Sequence, residues 1–285
     1  MSPIRSRASL DNASVASVAA VAEQFATARG HRVVIAVVDA NGTLLDLRRT
    51  EGAQAASSQV AIDKARTAAI FVRPSREIEA QVSAGRIGAL ALHSAAALTG
   101  GVPLVVDGPN GREVVGAIGT SGETPDEDEA VSLAGAAVAL TPIVVPAITF
   151  AGARLAAEAA AATAARRGVA PVVAVVDDGG ALVYVNRPDE AQVASVGVAT
   201  DKARTAAIYR RPSKDFEDQA SNGRPSALHL AGAVPLQGGI PLVVDATVVG
   251  AIGVSGASSA DEDQELALLG ADAFADDAAI ARIGA

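Results

Sequence analysis

The chain has no cysteine and no tryptophan, and only one methionine, three histidines, two tyrosines and five phenylalanines in 285 residues. The lack of cysteine excludes a disulfide framework, a thiolate zinc site, an iron–sulfur cluster and a cysteine nucleophile. With aromatics at 2% there is little on which bases could stack. A net charge of -9 gives no basic footprint for phosphates, so nucleic acid is excluded as a partner. No uncharged apolar run reaches the length of about 18 residues that reads as a membrane span. Charge is too sparse (19%) and apolar content too high (50%) for a mainly disordered chain.

The N-terminal region combines Arg5 and Arg7 with an Ala/Ser/Val-rich stretch, as a signal peptide would. Leu10, Val18, Val21 and Phe25, however, recur at helical spacing, with Glu23, Gln24 and Arg29 on the other face. That pattern predicts an amphipathic helix and a cytoplasmic protein.

What is present is one module written twice. Asp63-Lys64-Ala65-Arg66-Thr67-Ala68-Ala69-Ile70 recurs word for word at Asp201 to Ile208. In the same register, Val37-Val38-Asp39 matches Val175 to Asp177, and Arg73-Pro74-Ser75 matches Arg211 to Ser213. Gly100-Gly101 likewise matches Gly238-Gly239. Beyond Asp107 the register slips, because the first copy carries four extra residues around Gly108-Pro109-Asn110-Gly111, the tip of an expected hairpin. Such a period is too long for a solenoid. It predicts two domains, 1–141 and 147–285, separated by the proline-bearing stretch Thr141 to Pro146 and arranged as a pseudo-twofold dimer within one chain. A homo-oligomer of that pseudo-dimer is expected.

Each copy reads as helix, two strands, helix, two or more strands, helix. In the first copy the helices fall at 10–29, 57–71 and from Thr124 onward, and the strands at 33–38, 44–49, 102–106 and 114–119. Asn41-Gly42 marks a hairpin. Short turns between neighbouring strands predict an α+β fold, an antiparallel sheet packed with helices. The acids after Thr124-Pro125 and after Ser259 read as helix-start residues rather than metal ligands.

The candidate chemistry lies in four places. On the central helix, Asp63, Arg66 and Thr67 share a face while Lys64 points elsewhere. Lys64 and Arg66, with Lys202 and Arg204 in the second copy, can hold an anion, or the Asp–Arg pair can simply fix the helix. Arg86 and Arg224 occupy matching positions farther on, as further contacts to an anionic ligand. Gly101 and Gly239 lie in Gly-Gly-x-Pro loops that can present backbone N–H groups to a ligand or merely bend. His31, His93 and His229 are the candidate metal ligands, and His93 and His229 the candidate proton carriers. His93 and His229 do not align, since His229 matches Ala91. Histidine chemistry is therefore asymmetric, or a loop shifts register. The segments 87–99 and 225–237 differ most between copies, which predicts unequal pockets.

Four motifs together resemble the GlcG/HbpS family, which includes the C-terminal domain of PduO-type adenosyltransferases. They are Ile35-Ala36-Val37-Val38-Asp39, Asp63 to Ala68, Gly101-Val102-Pro103-Leu104 and Gly116 to Gly122, with Val254-Ser255-Gly256 closing the second set. The resemblance spans both halves. It implies an α+β fold, oligomeric assembly and, in some members, heme binding. The shared motifs carry no axial ligand, so none is transferred.

Two readings follow. The first is a small-molecule binding protein for heme or a related tetrapyrrole, with Arg and Lys at the propionates and His93, His229 or His31 at the iron. The second is a cofactor-independent isomerase, lyase or hydrolase acting on a small anionic carbonyl or carboxylate metabolite between the copies. It would use Lys64 or Lys202 for the anion and a histidine for the proton. A scaffold whose motifs only maintain the fold is the third, plainer possibility.

Overall fold

A computed structural model describes residues 2–283. Two compact units divide the chain: Ser6–Val145 is one, and Met1–Arg5 with Pro146–Ala285 is the other. No helix among the described residues is long and apolar enough to cross a membrane.

The first unit contains α1 (Asn12–Thr27), β2 (Val34–Asp39), β3 (Leu44–Arg49), α2 (Ser57–Ile70), α3 (Arg76–Ser83), a 3-10 turn at Ile87–Ala91, β4 (Gly101–Gly108), β5 (Gly111–Ser121) and α4 (Pro125–Ala136). A strand β1 (Ile4–Ser9) precedes it and pairs with β6 (Ile143–Ile148) in a separate two-stranded ribbon. The second unit repeats the order with α5 (Phe150–Arg166), β7 (Val172–Asp177), β8 (Leu182–Asn186), α6 (Ser195–Tyr209), α7 (Lys214–Ser221), a 3-10 turn at Pro225–His229, β9 (Gly239–Val244), β10 (Thr247–Ser255) and α8 (Ala260–Ile283). The sheets run β3-β2-β5-β4 and β8-β7-β10-β9, with antiparallel pairing in both. The α+β reading and the tandem duplication therefore hold. The proline-bearing stretch read as a separator includes a strand, β6, with Pro146 inside it; a two-stranded ribbon leaves strand edges free, which is where a strand tolerates a missing N–H.

Local chemistry explains the boundaries. Asp11 caps α1 by accepting from the Ser14 N–H at 2.7 Å, and Gly30 leaves the helix at φ 70°. Gly42 turns the β2–β3 hairpin at φ 79°. Thr124 and Glu127 cap α4 reciprocally. One sheet face packs α1 and α4 through Val18, Ile35, Leu104, Ile118 and Val131. The other face packs α2 through Ala65, Ala68 and Ala69 against Val38 and Ala117. Alanines are what let α2 lie this low. Beneath it, a Cβ on Gly101 would stand 2.1 Å from the Lys64 carbonyl oxygen, and one on Gly119 would stand 2.3 Å from that of Ala61.

Candidate functional site

The lysines of the repeated octamer do not face a ligand. Lys64 is 4% exposed, and its Nζ donates to Asp128 Oδ2 at 2.7 Å and to the Thr120 carbonyl at 2.9 Å. Lys202 repeats this with Asp263 and Val254, both at 2.9 Å. Burial pushes the Asp128 carboxyl above its ordinary range, and the Lys64 ammonium pulls against that shift. These pairs tie the central helix to the end of β5 or β10 and to the start of the last helix. Lys64 and Lys202 are thus corrected from anion-binding residues to buried structural cations. Helical periodicity had placed them off the Asp63 face, but only the tertiary fold supplies their carboxylates.

The glycine loops are also committed. Gly101 and Gly239 donate their N–H groups to Ser75 Oγ and Ser213 Oγ at 2.8 and 2.9 Å, and both lie against the backbone of the central helix. They serve close packing, so their expected ligand role is withdrawn. Arg66 and Arg204 reach the carbonyls of Gly42 and Gly180 through Nε at 3.3 and 3.2 Å, joining α2 and α6 to the hairpin turns. Arg204 also pairs with Asp201 at 3.2 Å. Arg86 and Arg224 are exposed and each donates to a glutamine side chain, Gln81 and Gln219 respectively.

The histidines remain scattered. His93 and His229 are exposed; His31 is half-buried near Glu127 of the α4 capping box, whose carboxyl is held below its ordinary value chiefly by its hydrogen bonds from Thr124. Among the described residues no three His, Asp or Glu side chains gather as a metal site. The segments that carry His93 and His229 share one backbone despite their different sequences. Ser94 and Gly232 occupy matching left-handed positions, at φ 63° and 72°. Thr67 Oγ1 accepts from the Ala96 N–H at 2.7 Å, and Thr205 Oγ1 from that of Val234 at 2.8 Å. Ser75 and Ser213 bind the carbonyls of Leu98 and Leu236, both at 2.6 Å. The loops differ in side chains, not in path, and the alternative of a register shift is removed. A small pocket of about 190 Å³, lined by Asp63, Arg66 and Ser94 to Ala96, lies beside the first loop.

A larger cleft lies where α2 turns into α3 over the β4–β5 hairpin. It has a volume of about 480 Å³, inside the range of ligand pockets. Val72, Pro74, Val102, Pro103, Val105 and Val114 form its apolar walls, and Arg73, Arg112 and Glu77 supply its charge. Arg73 Nε is buried and makes no hydrogen bond among the described residues. Val72 holds φ 55° at the end of α2, a left-handed conformation that a β-branched residue adopts only under strain. Sequence reasoning did not single out this cleft. Two signals were nevertheless present: the repeated Arg73-Pro74-Ser75, and the four-residue insertion that Arg112 immediately follows. Neither gives its meaning until the hairpin folds back beside the helix corner.

Comparison with known proteins agrees with this fold. The family model described as "Haem degrading protein HbpS-like" matches residues 10–137 and 148–272, so the chain belongs to the HbpS-like family. Protein GlcG of Escherichia coli (strain K12) is 41% identical over 83 residues; the match spans 29% of this chain and 62% of GlcG. An uncharacterized 15.0 kDa protein from the dhaT-dhaS intergenic region of Citrobacter freundii is 34% identical over 133 residues, 45% of this chain and 93% of that protein. The crystal structure of Klebsiella pneumoniae protein ORFY is similar at 31% identity, covering 45% of this chain and 90% of that one, with a TM-score of 0.42.

Proposed function

We propose that the chain is a small-molecule binding protein for heme or a related tetrapyrrole, held in the cleft of the first unit. The observation that carries this reading is a pair of arginines, Arg73 and Arg112, without a carboxylate partner among the described residues and set against apolar walls. A guanidinium fork matches a carboxylate, and the valines and prolines suit a flat apolar body. The family's description as haem-degrading supports the same class of ligand.

The fit of a heme is peripheral. Arg73 and Arg112 would hold its carboxylates, and Val72, Val102, Pro103 and Val105 would cover its body and exclude water. No histidine lines the cleft, and Glu77 is its one anionic side chain. A bound heme would bring an iron capable of redox chemistry; the chain's own residues bind and orient it. The alternative of an anionic-metabolite enzyme relied on Lys64 or Lys202, whose ammonium groups are already engaged in buried pairs.

Titration with hemin, followed at the Soret band, tests the proposal. The expected result is a saturable shift that persists when His31, His93 and His229 are all replaced by alanine. Absence of a saturable change overturns the reading. Loss of the shift in the triple variant removes the cleft as the site.

A further inference from the structure

The two units repeat each other almost everywhere, so the differences at the cleft are informative. In the second unit the position of Arg73 is Arg211, but its guanidinium stands 4.1 Å from the ring centroid of Phe216. The matching residue in the first unit is Ile78, which is buried and has no π face to offer. Phe216 is fully buried and packed edge-on against Tyr209 at 4.9 Å, so it holds that cation in a fixed place.

The second difference is the hairpin. In the first unit, Arg112 stands opposite Asp107 in the β4–β5 register, and the longer tip leaves this arginine on β5, lining the cleft with the helix corner. The second hairpin closes with Asp245 and Ala246, both at positive φ, directly between Val244 and Thr247. The position of Arg112 therefore falls on Ala246, within a tight turn. The apolar framework survives as Ile240, Pro241, Val243 and Val248. Arg210 and Arg211 both stand exposed at the corner of the second unit; what that unit lacks is the hairpin guanidinium, since Ala246 replaces Arg112.

We propose that the first unit alone is a carboxylate clamp, and that each chain takes one amphipathic carboxylate through Arg73 and Arg112. The clamp rests on the cleft invoked for the tetrapyrrole, and it adds that the ligand's carboxylate, rather than a bound metal, is what the chain recognises. Duplication then leaves one copy to bind and one to keep only the fold. Arg112 directly follows the four-residue extension and is alanine in the second unit, so the hairpin that distinguishes the copies also supplies the specificity-determining residue.

Calorimetric titration of the full chain with dodecanoate, and with dodecanol as the neutral control, tests this. The expected result is one site per chain for dodecanoate, with dodecanol roughly tenfold weaker or worse. Arg73→Gln and Arg112→Gln should each weaken dodecanoate by about tenfold or more, whereas Arg211→Gln should leave it unchanged. Two sites per chain, no dodecanoate binding, equal affinity for the alcohol, or an Arg211→Gln effect matching that of Arg73→Gln overturns the clamp. Circular dichroism of each variant separates a lost contact from a lost fold, and Arg73→Lys keeps the charge while removing the fork if glutamine unfolds the corner. Hemin binding that ignores these arginines would sink the clamp and the cleft as the heme site, and leave standing only that the chain binds a tetrapyrrole. Dodecanoate binding without hemin binding would leave the clamp standing and sink the tetrapyrrole reading.

Discussion

Val72 sits at the end of α2 with φ 55° and is 64% exposed. Helices commonly stop with a left-handed residue, and glycine is the usual choice because it lacks the Cβ that crowds the following carbonyl. The second unit has Arg210 at this position, also at φ 55°, so the backbone demands the conformation whatever the side chain. A valine here costs about 1–2 kcal/mol, yet it forms part of the cleft wall. Val72→Gly is therefore expected to raise unfolding stability by roughly 1 kcal/mol in urea denaturation while weakening hemin binding. A variant that is destabilised, or that binds as well as the parent, would show that the strain has no connection with the cleft.

At the level of elements, the central helix is fixed by its buried cation as much as by its alanines. Removing one partner of a buried pair leaves an uncompensated charge, so Lys64→Met is expected to cost about 3–5 kcal/mol. Lys64→Met/Asp128→Leu should recover most of that loss, because two apolar residues avoid both desolvation penalties. The pH dependence has a definite sign. Asp128 is raised above the ordinary 3.8 chiefly by burial even with Lys64 present; without Lys64 the Glu123 N–H is the main group left opposing that shift, so the folded value rises further. A group raised in the folded state contributes most below its unfolded value and loses that contribution as pH rises through the folded one. The deficit of Lys64→Met should therefore shrink as pH falls toward the ordinary carboxylate value, as read from denaturation midpoints across that range. A deficit that grows in acid would reverse the assignment.

For the whole molecule, the division into units does not follow the chain's beginning. Residues 2–5 belong with the second unit: Ser2 O accepts from Thr149 Oγ1 at 2.8 Å and Pro3 O from the Thr149 N–H at 3.1 Å, at the start of α5. From Ser6 onward the contacts belong to the first unit, where Ser6 O accepts from Asn110 Nδ2 and the Ala8 N–H donates to Glu113. Deleting residues 2–5 removes these two hydrogen bonds, worth about 1–3 kcal/mol together, and with them the start of β1 and the Ile4 contact with the second core. Hydrogen exchange should then show lost protection in the first turns of α5, with α1 unchanged. Equal loss in both helices would contradict this division.

The repeat, its register and the order of the main helices and sheet strands were readable from residues alone, but the short helices α3 and α7 and the 3-10 turns after them were not. The readable features depend on local physics: hydrophobic period, Asn-Gly and Gly turns, a Thr-Pro helix start and an identical octamer. The strands Ile4–Ser9 and Ile143–Ile148 were not readable either, because short strands in a two-stranded ribbon carry little periodic signal. Only the folded chain decided the roles of the charged residues. Lys64 and Arg73 are each one basic residue in a repeated motif, and nothing local distinguishes them. Asp128, far along the chain, takes one into the interior, while the other, with no such partner among the described residues, lies beside Arg112 and a wall of valines. A charge's function depends on what long-range folding places within a few ångströms of it, and a linear pattern holds no record of that distance.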